Sequence, residues 1–360
     1  MRGRDIAVAG GFVLVLVALG VQLGLLTSMR RRIKSIHASQ QRLESRLAVI
    51  EGWHAVPVLD DLECVELDGQ LVKLRDYAIA DAPELDVLAR TNFGAPADLP
   101  HPQFLSGVYG RPIADFHPWQ WSRNLLALAQ WDAFDPESAR HAEWRTAVEQ
   151  GASRVVSIGA SDFYPYPFDY GLPHPPTTEP HAFRTGEPWY SSVGQAAILS
   201  TMLHAHGATG DPAFATLADR CFASLIDLRE TPGQDAPWVT FVDADQYLWF
   251  EEYPTHDEPQ PRVINGHVIA LMAIYGYWRV RRDPLALQYL RAGITTMERY
   301  TPEYRRPGQV LRYSLRLPDL PDYGPQRAVD QQRWLADLTG ETVFEAYADR
   351  FATDMRMRDR

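Results

Sequence analysis

Lysine is nearly absent from this chain. Among its 360 residues only Lys34 and Lys73 are lysines, and almost all positive charge is arginine. There is no basic surplus: 46 acidic residues against 35 basic ones leave a formal net charge of -11. A general nucleic-acid binder draws most of its affinity from neutralising phosphates, so the composition argues against that class and no nucleic-acid partner is expected. Cysteine is scarce as well. Cys64 and Cys221 permit one disulfide at most, which excludes a disulfide scaffold and a cysteine metal cage. No metal and no cofactor are expected. Long polar tracts of the kind that keep a chain disordered are missing too, and 46% hydrophobic residues suffice for a large core.

One long apolar run is present. Residues 6–27, "IAVAGGFVLVLVALGVQLGLLT", contain no charge and one polar amide, Gln22. About 20 apolar residues cross a bilayer as a helix. "SMRRRIK" follows in place of a small-residue cleavage site, so the expectation is an uncleaved single-pass transmembrane anchor with the lipid bilayer as a partner. Arg30, Arg31, Arg32 and Lys34 outnumber Arg2 and Arg4, and the positive-inside rule then favours a cytoplasmic main domain. Next, Ile33, Ile36, Gln40, Leu43, Leu47 and Ile50 recur at steps of three and four. Residues 29–52 are therefore expected to be a short coiled-coil stalk that makes a homodimer, or else a lone amphipathic helix near the membrane surface. Residues 53–116 read as an irregular lead-in with a small hairpin around Asp68-Gly69 in "VELDGQLVKL".

From residue 117 to 358 the pattern is helical and repeats. Asp135-Pro136, Asp211-Pro212 and Asp283-Pro284 each separate two helical patterns. Asp suits an N-cap, because its carboxylate accepts the free N–H groups of the first turn, and Pro suits the first helical position, where a missing N–H costs nothing. A further pair meets at Thr339-Gly340-Glu341, where Thr339 is placed to cap. Repeated helical hairpins predict a mainly α fold, an incomplete or closed (α/α) toroid. Between the hairpins lie aromatic, proline-rich segments at 162–180, 238–254 and 313–323. Proline keeps these out of helices, and loops on a rigid scaffold are where binding and catalysis concentrate. Aromatic residues are 11% of the chain, and their clustering here suits a cleft in which sugar rings stack.

Four stretches carry a family resemblance: "PWYSSVGQAAILSTMLHAH", "WFEEYPTHDEPQPRVINGHVIALMAIY", "YSLR" at 313–316 and "DY" at 322–323. Over roughly residues 105–350 the chain resembles the C-terminal helical domain of the D-glucuronyl C5-epimerases. The Glu-Glu-Tyr-Pro segment followed by Asn-Gly is its most specific element. The resemblance implies an isomerase acting on a uronic-acid-containing polysaccharide, with its domain outside the cytoplasm, and roles for particular residues. Glu252 and Tyr323 would be the acid/base groups on opposite faces of the sugar. Tyr253 and Tyr313 would line the site and orient the sugar. Arg316 would grip the uronate carboxylate, for which a planar guanidinium is suited. Asn265 would hold the Glu-Glu-Tyr-Pro loop to the next helix, and Trp189, Tyr190 and Gln195 would line the cleft. An ordinary Glu or Tyr is not poised near neutral pH, so burial, neighbouring Arg and the adjacent Glu251 are expected to tune them.

The family's Tyr-His-x-x-His pattern is replaced by "DYGPQRAVDQQRWL", which holds no histidine; Arg327 is a candidate for the cationic role. Three other readings stand beside epimerisation. A polysaccharide lyase begins with the same proton abstraction. A non-catalytic glycan-binding or assembly protein would use the same scaffold. A glycoside hydrolase needs two carboxylates across the scissile bond, and Asp243 or Asp245 would have to partner a glutamate.

Overall fold

The chain divides into two units, Met1–Ala55 and Val56–Arg360. The computed structural model describes residues 59, 61–86, 116–129, 137, 139–172, 183–230, 236–256, 259–316 and 325–358, all in the second unit. The expected anchor (6–27), the stalk (29–52), most of the lead-in, the Asp135-Pro136 turn and Tyr323 lie outside them. No helix among the described residues is long and apolar enough to cross a membrane.

The lead-in contains the hairpin. Strands β1 (Glu63–Leu67) and β2 (Gln70–Leu74) pair antiparallel with Leu67 opposite Gln70. Asp68 (φ 46°) and Gly69 (φ 73°) between them are both left-handed, as a two-residue hairpin turn with the twist of its strands requires. The Asp68 carboxylate also accepts the Leu228 N–H at 3.1 Å, which fastens the turn to the helical body.

Eight α-helices are described: α1 (Pro118–Ala129), α2 (Ala139–Ala152), α3 (Ser192–Thr209), α4 (Pro212–Ile226), α5 (Ile264–Arg281), α6 (Pro284–Tyr304), α7 (Pro325–Thr339) and α8 (Thr342–Arg358). They pack as four hairpins, α1/α2, α3/α4, α5/α6 and α7/α8, and the first helices lie side by side, α1 on α3, α3 on α5 and α5 on α7. The burial pattern follows this order. Helices α3 and α5 are apolar on nearly every side and buried along most of their length, the signature of an inner helix. Helices α4 and α6 each bury one stripe and expose the other.

The Asp-Pro signals act as their chemistry dictates. Asp211 accepts the Ala213 N–H at 2.9 Å and Asp283 the Leu285 N–H at 2.8 Å, each followed by Pro at the first helical position. Thr339 differs from its expected role. It is the last residue of α7; its hydroxyl donates to the Leu335 carbonyl at 2.7 Å and accepts the Glu341 N–H at 3.1 Å, so it closes one helix rather than capping the next.

The aromatic segments are more regular than loops. Strands β3 (Val156–Ile158) and β4 (Ser161–Phe163) pair antiparallel, as do β5 (Gly171–Leu172) with β6 (Phe183–Arg184) and β7 (Thr240–Val242) with β8 (Leu248–Phe250). Strands β4 and β8 are buried throughout and β7 mostly so, and buried N–H and C=O groups need partners, which short ladders supply. Strand β8 lies against α5 and α6. His267 locks it there: Nδ1 accepts the Phe250 N–H at 3.1 Å and Nε2 donates to the Gly293 carbonyl at 2.9 Å. Burial pushes His267 down to about 4, so it is a neutral structural imidazole.

Candidate active site

The chain leaves β8 into Glu251, Glu252 and Tyr253. Glu251 is the anchor of this turn. Its N–H donates to the Val239 carbonyl at 2.7 Å, and its carbonyl accepts the Ser192 N–H at the start of α3 at 3.0 Å. Its side chain is 0% exposed and turns inward. One carboxylate oxygen accepts the Tyr253 N–H at 3.2 Å and the other the Arg262 N–H at 2.6 Å. The two ends of the 251–262 loop are thereby drawn onto one side chain, and Arg262 takes a left-handed φ of 56°. Burial raises the Glu251 carboxyl to about 7; the backbone N–H groups work against that shift and the charge of Glu252 adds to it.

Glu252 has different surroundings. It is 9% exposed. The Asn265 amide reaches its Oε2 at 3.5 Å, and the hydroxyls of Tyr253 and Tyr313 hydrogen-bond to it as well. Those two hydroxyls lie 3.0 Å apart. Burial raises the Glu252 carboxyl, while the two phenols, Asn265 and the charge of Arg327 pull it back. Tyr313 is held by backbone: its carbonyl accepts the Ile264 N–H at 3.2 Å, Ser314 bridges Val263 antiparallel, and the Ser314 hydroxyl donates to the Pro261 carbonyl. The otherwise unpaired first N–H of α5 is satisfied in this way, and Tyr313 is drawn onto Tyr253. Gly266 completes the fit. A Cβ there would stand 2.5 Å from Glu252 Cβ and 2.9 Å from Oε2, so only glycine lets the helix start approach the carboxylate.

A sequence model described as the D-glucuronyl C5-epimerase C-terminus matches residues 172–353. The chain belongs to that family. Among solved structures, it is similar to the GH76 alpha-mannanase of Bacteroides thetaiotaomicron at 11% identity and a TM-score of 0.39. That match covers 65% of this chain and 56% of the mannanase chain, a likeness too loose to carry an argument.

In this C5-epimerase-family chain the structure brings Glu252, Tyr253, Tyr313 and Asn265 together; Tyr323 lies outside the described residues. Trp189 backs the site rather than opening onto it. It is buried, stacked on Tyr166 at 4.0 Å between ring centres, 5.7 Å from Tyr253, and bound through its indole N–H to the Phe168 carbonyl at 2.7 Å. Tyr190 is half-buried with its ring edge-on to Phe163. Gln195 is not in the cleft. It is fully buried, its Oε1 accepts the Tyr164 N–H at 2.8 Å, and its Nε2 donates to the Asp162 carbonyl at 2.7 Å and to Ser224. An amide has both a donor and an acceptor, and Gln195 spends both on holding β4 against α3 and α4. Arg316 is exposed, and its side chain makes no hydrogen bond or ion pair to Glu252, Tyr253 or Tyr313.

Sequence reasoning missed three contributors. Tyr170 stacks on Tyr253 at 5.0 Å and hydrogen-bonds to it; burial, with the charge of Glu252 adding, pushes its phenol up to about 12. It sat in an aromatic run where nothing singled it out. Gln331 donates to the Asn265 side-chain and backbone oxygens at 3.2 and 3.3 Å and ties α7 to the site. Gly266 was visible as half of the Asn-Gly pair, without its reason. Among the described residues no group of three or more His, Cys, Asp or Glu side chains converges as a metal site.

The hydrolase reading loses its second carboxylate. Both Glu251 oxygens are occupied from inside. Asp243 is buried with five donors on it: the N–H groups of Asp245 and Tyr247, the Trp249 indole, the Tyr300 hydroxyl and Arg262. Asp245 sits in the β7–β8 turn, at the opposite end of the hairpin from Glu252.

Proposed function

We propose that this chain is a carbohydrate epimerase that inverts C5 of glucuronate residues in a polysaccharide, converting D-glucuronate to L-iduronate. The carrying observation is Glu252: a buried carboxyl raised by burial, in contact with two phenols and an amide that hold its orientation. A base for this proton needs a pKa lifted toward neutrality and a place within about 3 Å of the hydrogen it removes. Glu252 takes the C5 proton, the C5–H bond breaks, and its electron pair spreads into the uronate carboxylate. A second group on the opposite face, Tyr323 by the family resemblance, gives its hydroxyl proton to C5 and inverts the centre. Tyr253 and Tyr313 hold Glu252 and orient the sugar. No cofactor enters this scheme.

The same reading makes the four helical hairpins part of an (α/α) toroid, with residues 6–27 anchoring it to a bilayer and residues 29–52 pairing two copies. The test is C5 deuterium incorporation from heavy water into a panel of glucuronate-containing polymers, with ultraviolet absorbance followed in parallel. Incorporation without absorbance is expected. Absorbance from an unsaturated uronate would assign a lyase instead, and no exchange on any polymer would overturn the enzyme reading.

A further inference from the structure

We infer that Arg327 recognises the C5 carboxylate of the substrate and so determines specificity for a uronate over a neutral sugar. The inference rests on the uronate reading of the site.

Position is the first reason. Gln331, on α7, donates to both oxygens of Asn265, and Asn265 donates to Glu252. Arg327 lies four residues before Gln331 on the same helix, hence one turn away on the same face. Helical side chains lean toward the N-terminus, so Arg327 extends from the Gln331 position toward the start of α7. Its charge is felt at the Glu252 carboxyl.

Availability is the second reason. Four arginines near the core are engaged by acids: Arg220 with Asp162, Arg262 with Asp243, Arg281 with Asp219 and Arg305 with Asp354. Arg327 is exposed and pairs with no acid among the described residues. A cation with no ion-pair partner among the described residues, one helical turn from the glutamine that holds Asn265 against Glu252, is left over for a ligand.

The chemistry gives the ligand. Removing the C5 proton places further negative charge on the adjacent carboxylate, and a preorganised cation there stabilises that charge. A guanidinium grips a carboxylate with two parallel N–H bonds, which an ammonium cannot do.

The test is equilibrium binding to the full chain of a glucuronate-containing oligosaccharide and of its carboxyl-reduced counterpart, which carries glucose in place of glucuronate. Wild type is expected to prefer the carboxylate form by about tenfold or more, the size of a charge-assisted contact. Arg327→Gln should abolish that preference with an unchanged melting temperature. Arg327→Lys should keep part of it, and Arg316→Gln should keep all of it. The pH profile of exchange gives a second readout: without the arginine's charge, the acid limb set by Glu252 should move upward. Wild-type preference retained in Arg327→Gln, abolished by Arg316→Gln alone, or missing from wild type would each overturn the assignment. C5 exchange in the same samples keeps the two ideas apart. Exchange by wild type with preference intact in Arg327→Gln would leave the epimerase reading and remove this one. Loss of preference in Arg327→Gln without exchange in wild type would do the reverse.

Discussion

The β7–β8 hairpin carries a buried carboxylate at each end, and the two are used in opposite ways. At the turn, Asp243 receives two backbone N–H groups, an indole, a phenol and a guanidinium. At the exit, Glu252 is met by side chains alone: two phenols, and an amide at 3.5 Å. A carboxylate has about four lone-pair sites, so Asp243 is saturated. It joins the turn to α6 and to Arg262, and has nothing left for a substrate. Glu252 is held by groups that can themselves move a proton or turn toward a sugar. Burial costs both; at Glu252 it raises the carboxyl, which suits acid/base work. Buried charge alone therefore does not mark a site. What marks it is how much of the group's hydrogen-bonding capacity the fold has already consumed.

The largest expected effect comes from removing the acid/base group while keeping its shape. Glu252→Gln should lower C5 exchange by about 10²–10⁴-fold, the usual weight of a positioned acid or base, with near-native circular dichroism. Gly266→Ala comes next. The added methyl would meet Glu252 Cβ at 2.5 Å, so the carboxylate must shift. Overpacking costs about 1–3 kcal/mol, partly offset by alanine's helix preference of about 1 kcal/mol, whereas displacing a reacting group by about 1 Å costs about 10²-fold in rate. Exchange should thus fall far more than the melting temperature.

Two matched phenols test the contrast directly. Tyr313→Phe should slow exchange by about tenfold or more, the weight of a hydrogen bond to a charged group, with little change in stability. Tyr300→Phe, at the saturated carboxylate, should cost about 1 kcal/mol of stability and leave exchange intact. Equal losses of activity in both would erase the distinction between the two ends of the hairpin.

The smallest expected effect is in stability against pH. Glu251 is raised from 4.5 to about 7 in the folded chain. A raised carboxyl contributes stability that is fully present below the unfolded value and is lost as pH rises through the folded one. Buried His117 and His267 work in the opposite direction. Both are lowered from 6.5 to about 4, so their contribution is present above 6.5 and lost as pH falls toward 4. The informative quantity is the difference between two proteins. Between pH 4.5 and 7, the melting temperature of Glu251→Gln should rise more steeply with pH than that of wild type. Parallel curves would mean that Glu251 stays ionised when folded.

The helical part of the fold was legible because its signals are local. Asp211-Pro212 and Asp283-Pro284 are complete capping devices within three residues, and the Asp68-Gly69 turn needs only two left-handed backbones. Glu252, Tyr253 and Asn265 were legible through a motif whose parts lie within one loop and the helix after it. Gln195 misled for a plain reason: it begins a helix beside the cleft residues, but an amide's role depends on what stands opposite, and here Asp162, Tyr164 and Ser224 stand opposite. Tyr170 and Gln331 were hidden because each meets the site across a long stretch of chain, and their immediate neighbours carry no sign of it.

By itself the sequence determined the helical hairpins, the Asp211 and Asp283 caps, the short β1–β2 turn and the identity of the Glu-Glu-Tyr-Pro segment, because short-range sterics and hydrogen bonding decide these things. The family resemblance had already singled out Glu252; only the tertiary structure decided what its neighbour Glu251 does instead. Side chains at neighbouring positions point apart, and here Val239, Ser192, Tyr253 and Arg262 claim Glu251 for the interior. Asn265, Gly266 and Tyr313 leave Glu252 in the one position where a buried carboxyl still has chemistry to offer.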